Sequence, residues 1–235
     1  SRQTWMSGGA VQGACEDVRR AVFARVAERR GIAPAGARRE VLRLDAAGVR
    51  HVDEGWVVPL ADAVGEQPIE QTHEYHHATT HPLDALGQGD AHVSFVFAAH
   101  RAVVDVDPEL GLVRVVQITT GQDVGRALNP RQVIGQIEGG IAQGVGLAVM
   151  EEIVLDEGRI KNPSFTDYLI PTALDMPVVA VTLIEQPEPG APFGAKGVGE
   201  PPTISSTPAV VAAIRAATGV DLRRAPVRPD DIALA

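Results

Sequence analysis

The run LVRVVQITTGQDVGRALNPRQVIGQIEGGIAQGVGLAV, residues 112–149, decides the fold class. It opens as a β-rich strand over Leu112–Thr119. Asn129 then offers a side-chain acceptor to the first free amides of a helix, and Pro130 brings a preset φ to its first position. Beyond them Val133, Ile134, Ile137, Ile141, Val145 and Val149 form one apolar stripe at helical spacing. A strand and a capped amphipathic helix therefore lie in tandem, joined by a glycine-containing loop.

Working outward, the strand has a partner upstream. His92–Val106 reads as a strand, joined to Leu112 by Asp107-Pro108-Glu109-Leu110-Gly111, a turn with Pro and Gly in suitable places. Glu40–Val52 reads as a second hairpin about Ala46-Ala47-Gly48. Pro59–Gly89 is loop-rich, with a short helix near Pro59–Val64. At the start, Ser1–Ala10 reads as a loop entering a helix whose apolar positions are Val11, Ala14, Val18, Val22 and Val26, stopped at Gly31. Downstream, Asp156-Glu157-Gly158 turns between short strands and Val178–Ile184 forms another strand. A last helix opens at Thr207-Pro208, turns Val210, Val211, Ile214 and Ala217 inward, and closes at Gly219. The mixed order lacks regular βαβ alternation, so the expected class is α+β, mixed sheets packed with helices. Residues 1–235 are read as one domain with a subdivision at about residue 120.

Lys and Arg total 21 against 30 Asp and Glu, a net charge of −9, which disfavours nucleic acid. Cys15 is alone, so the chain builds no internal disulfide and no iron–sulfur cluster. Its place on the apolar side of the first helix reads as a buried, inert thiol. The apolar stretches are too interrupted to span a membrane and no basic-then-apolar leader opens the chain, so a cytoplasmic location is expected. His73, His76, His77 and His81 lack the H-E-x-x-H spacing and read as surface histidines, and no metal ligands are assigned.

Three glycine-rich places could carry chemistry. Gly139-Gly140-Ile141-Ala142-Gln143-Gly144-Val145-Gly146 lies within the capped helix, where several glycines require either close helix packing or close approach to a ligand. It does not fit G-x-G-x-x-G. Gly194-Ala195-Lys196-Gly197-Val198-Gly199-Glu200-Pro201-Pro202 is not a P-loop. It brackets Glu200 between flexible glycines and stiff prolines, which suits a carboxylate held as a general base. Ser1-Arg2-Gln3-Thr4, with Ser7-Gly8-Gly9, offers hydroxyls, a guanidinium and helix amides as an anion cradle.

Taken together these segments resemble the molybdenum hydroxylases. Gly121–Pro130, Gly135-Gln136-Ile137-Glu138-Gly139-Gly140, Gln143-Gly144, Glu151-Glu152, Asp167-Tyr168-Leu169-Ile170-Pro171-Thr172 and Gly197-Val198-Gly199-Glu200-Pro201-Pro202 follow the order and spacing of the xanthine dehydrogenase/aldehyde oxidase family. The likeness is greatest to the molybdenum-binding subunit of bacterial xanthine dehydrogenases, and it covers the C-terminal part of that subunit.

The resemblance implies a molybdopterin-binding domain and a molybdenum-molybdopterin cofactor, plain or as the cytosine dinucleotide. FAD and [2Fe–2S] clusters would lie on partner chains. The N-terminal portion of the molybdenum subunit, a FAD subunit and an iron–sulfur subunit are the implied partners. Glu200 matches the catalytic glutamate that takes a proton from Mo–OH while hydride passes to Mo=S, in the hydroxylation of hypoxanthine or xanthine. Gln143 matches a cofactor-bonding residue. Gly144, Ser1, Arg2, Gln3 and Thr4 match cofactor contacts, and Ala195, Lys196 and Gly197 line the approach to Glu200. The alternatives are a related hydroxylase of aldehydes, other N-heterocycles or CO, and a non-catalytic assembly module. The Val18–Val22–Val26 stripe and the Gly135–Gly146 face are expected to be covered by the rest of the subunit.

Overall fold

A computed structural model describes residues 2–33 and 40–235. Ser1 lies outside the described residues. The chain divides into two compact units, Arg2–Ala78 and Thr79–Ala235. Residue 120 falls inside a strand of the second.

In the first unit a 28-residue helix, α1 (Arg2–Arg29), carries a small antiparallel sheet of β1 (Leu42–Asp45), β2 (Gly48–His51) and β3 (Val57–Val58), followed by α2 (Leu60–Val64). The hairpin register, Asp45 opposite Gly48, agrees with the turn read from sequence. Val22, Phe23 and Val26 of α1 pack with Leu42, Val49 and Ala63. The stripe expected to need outside cover is thus covered by the chain's own hairpin, Val22 and Val26 being 3% and 1% exposed. That cover reaches only the C-terminal half of α1. Val11 is 63% exposed and Cys15 is exposed, which corrects the buried thiol expected there.

From α2 an extended strap runs back along α1 toward its N-terminal half. Arg29 and Arg25 donate to the carbonyls of Asp62 and Val64, and Arg25 also reaches Gln67 O at 2.9 Å. Farther along, His73 Nδ1 lies 2.9 Å from Asp17 Oδ2. A Cβ on Gly9 would stand 2.6 Å from the Tyr75 ring, and one on Gly13 would collide with His73. Gly9, read as part of an entering loop, therefore lies inside the helix, and at Gly9 and Gly13 the missing Cβ lets the strap's rings approach the backbone.

The second unit is built on a three-stranded sheet of β4 (Ala98–Asp107), β5 (Leu112–Asp123) and β8 (Val178–Ile184). β4 and β5 form the expected antiparallel hairpin, with a register shift between Val103 and Val104. The upstream strand begins at Ala98, later than His92. β8 runs parallel to β5, Gln117 opposite Val178. The return requires a crossover, and α3 (Pro130–Val149) supplies it. One βαβ connection therefore exists within an α+β fold. Between α3 and β8 in sequence, β6 (Leu155–Asp156) and β7 (Arg159–Ile160) pair as a separate short antiparallel ribbon.

Asn129 caps α3, accepting from Gln132 N at 3.2 Å, with Pro130 at the first position. Ile137, Ile141 and Val145 of α3 meet Val115 and Ile118 of β5 and Val210 and Ile214 of α4 (Pro201–Thr218). Ile232 of α5 (Pro229–Ala233) closes the same core. Helix α4 begins at Pro201, not at Thr207: Pro201 and Pro202 occupy its first turn, where a missing N–H costs nothing, and Pro208 lies inside it. Among the described residues no helix is long and apolar enough to cross a membrane.

Candidate cofactor-binding site

The segment leading to Glu200 is fastened to the end of β5. Gly125 and Ala195 form an antiparallel bridge, with Lys196 N donating to Val124 O at 3.0 Å and Arg126 N to Gly194 O at 2.8 Å. Gly125 has φ +63°, and a Cβ there would run into Gly194 O. Only glycine permits both the left-handed turn and the close approach. Beneath the bridge Lys196 Nζ lies 2.6 Å from Asp123 Oδ2, their side chains 8% and 9% exposed. Asp123 Oδ1 accepts from Gly125 N at 3.0 Å, so one carboxylate ties both sides of the junction. Lys196 is thus a buried fastener, and Ala195 is 7% exposed beside it.

Gly197, Val198 and Gly199 connect this fastener to Glu200, the N-cap residue of α4. Glu200 O accepts from Thr203 N at 3.0 Å and Ile204 N at 3.2 Å. The side chain is exposed. Its backbone is therefore fixed on both flanks while its carboxylate faces outward.

Helix α3 brings Gln143 to the same place. Thr203 Oγ1, one turn into α4, lies 3.1 Å from both Gly140 O and Gln143 Oε1 and shares its proton between them. Gln143 is exposed, with its amide N–H donors left for another acceptor. The structure thus joins Gln143 and the first turn of α4, two regions 60 residues apart in sequence.

Gly140 and Gly144 face α4. A Cβ on Gly140 would come 2.6 Å from Pro202 Cβ, and one on Gly144 would fall on Ser206 Oγ. Thr207 Oγ1 donates to Gly144 O at 3.0 Å. Close helix packing explains these two glycines, and Gly144 presents its bare side to Ser206. Gly135 and Gly139 differ: beyond the surrounding turns of α3's own backbone, no atom lies within 4 Å of a Cβ built on either. Gly146 admits the Glu151 carboxylate, which accepts from Tyr168 Oη at 2.6 Å. That acceptance holds the Tyr168 proton above the ordinary phenol range.

Arg2, Gln3 and Thr4 lie in the first turn of α1, in the other compact unit. The loop expected there is helical, and Ser7 Oγ donates to Gln3 Oε1 at 2.8 Å. Of the histidines, His73 is taken up by Asp17, and among the described residues no three His, Cys, Asp or Glu converge as a metal site. Sequence reasoning missed Asp123 and Thr203, the partners that hold the Glu200 segment. Their signals were present: an acidic residue ending a strand, and a Thr one turn after Glu200.

A family model described as the molybdopterin cofactor-binding domain matches residues 1–177. The xanthine dehydrogenase molybdenum-binding subunit of Escherichia coli O157:H7 is 36% identical over 130 residues, 54% of this chain and 17% of that protein. The 6-hydroxypseudooxynicotine dehydrogenase complex subunit gamma of Paenarthrobacter nicotinovorans is 37% identical over 153 residues, 63% of this chain and 19% of that protein. The crystal structure of quinoline 2-oxidoreductase from Pseudomonas putida 86 matches 98% of the chain with a TM-score of 0.78 at 28% identity, the chain covering 29% of it. The chain therefore spans less than a third of the proteins it matches. With the family model covering most of its length and this mixed fold around it, the chain belongs to the molybdopterin cofactor-binding domain family of the molybdenum hydroxylases.

Proposed function

We propose that the chain is the C-terminal cofactor-binding portion of a xanthine dehydrogenase that hydroxylates hypoxanthine and xanthine, with Glu200 as general base. The observation that carries this reading is the exposed carboxylate of Glu200 on a backbone fixed by the Gly125–Ala195 bridge on one side and α4 on the other. A base needs that combination, because its reach to a proton must be set within a few tenths of an ångström.

The residues present suit a molybdopterin. A pterin is flat and rich in donors and acceptors, and the Gln143 amide matches it. The bare backbone at Gly135 and Gly139 allows close approach along the same helix. When bound, the molybdenum cofactor supplies the oxygen nucleophile and takes up the substrate's electrons. Glu200 would take up that nucleophile's proton at a carboxylate oxygen, and the Gln143 amide would hold the cofactor in place. Ala195, Lys196 and Gly197 support Glu200 rather than react. Ser1, Arg2, Gln3 and Thr4, together with Gly144, are assigned to the cofactor's surroundings on the resemblance alone.

The complete enzyme is read as a cytoplasmic heteromer of purine catabolism, its FAD and [2Fe–2S] clusters on partner chains. A second reading, hydroxylation of another N-heterocycle, is favoured by the nearly equal identity to the pseudooxynicotine enzyme subunit. Anaerobic rapid mixing of the molybdenum-loaded assembled enzyme with xanthine, hypoxanthine and a panel of pyridines tests both. Fast reduction by purines supports the first reading, and reduction by pyridines alone replaces it with the second. Molybdenum-loaded enzyme reduced by neither class would refute both.

A further inference from the structure

Along β5 alternate residues share a face, so Ile118, Thr120 and Gln122 all turn toward the helices. Ile118 meets the apolar core as expected. Thr120 and Gln122 are 1% and 0% exposed, yet Thr120 Oγ1 and both amide atoms of Gln122 meet no hydrogen-bonding group of the protein itself. On β4, His100 stands directly opposite Thr120, and Ala98 opposite Gln122. His100 Nδ1 lies 2.6 Å from Ser205 Oγ of α4, while its Nε2 is buried without a partner. Whichever ring nitrogen carries the proton, Nε2 remains a donor or an acceptor with nothing to meet.

Four orphaned atoms on one patch of one ladder are not scattered exceptions. Buried polar groups are paired in folded proteins, by protein atoms or by ordered water. Opposed Cβ atoms in an antiparallel pair stand about 4.5–5.5 Å apart, with diagonal neighbours at about 7–8 Å, so these side chains lie within reach of a common small molecule. The patch contains an alcohol, a carboxamide and an imidazole that burial keeps toward its neutral form. None carries a charge for an ion to neutralise. A site that both donates and accepts, without charge, suits water, which typically makes about 3 such bonds when buried.

We propose that β4, β5 and α4 enclose an internal water site, in which ordered water bridges His100 Nε2, Thr120 Oγ1 and the Gln122 amide. Ser205 extends the network, since its Oγ also lies 3.3 Å from Pro201 O at the start of α4. The water would therefore belong to the mounting that joins the sheet to that helix. The site is independent of the reaction proposed above.

The test is a crystal structure of the full-length subunit in its natural assembly, at a resolution that shows waters, for the wild type and for Thr120→Val/Gln122→Leu. Density for at least one water, bonded to two or more of the named atoms in the wild type and gone from the variant, is the expected result. Magnetic relaxation dispersion should count fewer long-lived waters in the variant. Wild-type density in which the Gln122 amide pairs directly with Thr120, His100 or another protein group, with no water between, would overturn the proposal. The wild-type map decides the matter even if the double variant fails to fold.

Discussion

Lys196 Nζ and Asp123 Oδ2 meet at 2.6 Å with less than a tenth of either side chain in solvent, joining the Glu200 segment to the end of β5. Removing one member of a buried pair leaves the other charge uncompensated, at a cost of about 3–5 kcal/mol. Lys196→Met should lower the urea midpoint accordingly. Lys196→Met combined with Asp123→Leu should recover part of the loss, because no lone charge remains. A Lys196→Met loss below about 1 kcal/mol, the range of exposed pairs, would show that the fastener lies elsewhere.

The two kinds of glycine on α3 should respond in opposite directions. Gly144→Ala drives a methyl onto Ser206, and overpacking of this sort costs roughly 1–3 kcal/mol. Gly135→Ala meets no atom within 4 Å beyond the helix's own backbone and gains helix propensity, about 0.5–1 kcal/mol. Paired denaturation curves measure both. If Gly135→Ala also lowers the molybdenum content of the assembled enzyme, that face of α3 is the one a cofactor approaches.

Glu200→Gln preserves shape and removes the base. Substrate-driven reduction of the molybdenum-loaded enzyme should slow by about 10²–10⁴-fold, with molybdenum content unchanged. An unaltered rate would exclude Glu200 as the base. Glu188 is a poor control: Ser94 Oγ donates to its carboxylate at 2.7 Å and its amide donates to Gly194 O at 3.1 Å, so it braces the same loop. Glu157, exposed in the turn between β6 and β7, is the better one and should leave the rate unchanged.

Burial depresses the His100 pKa. The unfolded histidine, with a pKa of about 6.5, then binds a proton that the folded one resists. This contribution to stability is complete above the unfolded pKa and is lost as pH falls below it, toward the folded value. Between neutral and mildly acidic pH, wild-type stability should therefore decline more steeply than that of His100→Gln. Parallel slopes for the two proteins would remove His100 from the account.

In the first unit, Gly13→Val should push His73 off α1 and break its bond to Asp17. Limited proteolysis should then cut the strap near His73–Tyr75 faster than in wild type, while the β1–β2 hairpin stays protected.

Local signals were the legible part of this fold. Asn129 and Pro130 announced α3, and the β4–β5 turn announced its hairpin, because each is determined by a few neighbouring residues. The start of α4 was misplaced because Pro201 and Pro202 look like helix breakers unless they are seen to occupy a first turn. The glycines at 140 and 144 were ambiguous for a related reason: their role depends on where α4 lies. Gly8-Gly9 suggested a loop, since nothing nearby in sequence shows that the strap returns against α1. Glu200 was singled out by its bracket of glycines and prolines, and Gln143 by the family resemblance. What brings them together, Thr203 and the Asp123–Lys196 pair, is long-range and appears only when the chain is folded.

Helix α4 also makes a lever. Glu200 sits at one end, and Ile214, fully buried, anchors the other. At about 1.5 Å per residue the arm between them is roughly 20 Å, so a tilt of about 3° that also displaces the Pro202–Gly140 contact would swing the carboxylate by roughly 1 Å. Misplacement on that scale can cost a reaction about 10²-fold. Conservative changes at Ile214 or Val210, remote from any chemistry, therefore act on Glu200 as a change of aim, and the tolerance for them is set by angle more than by volume.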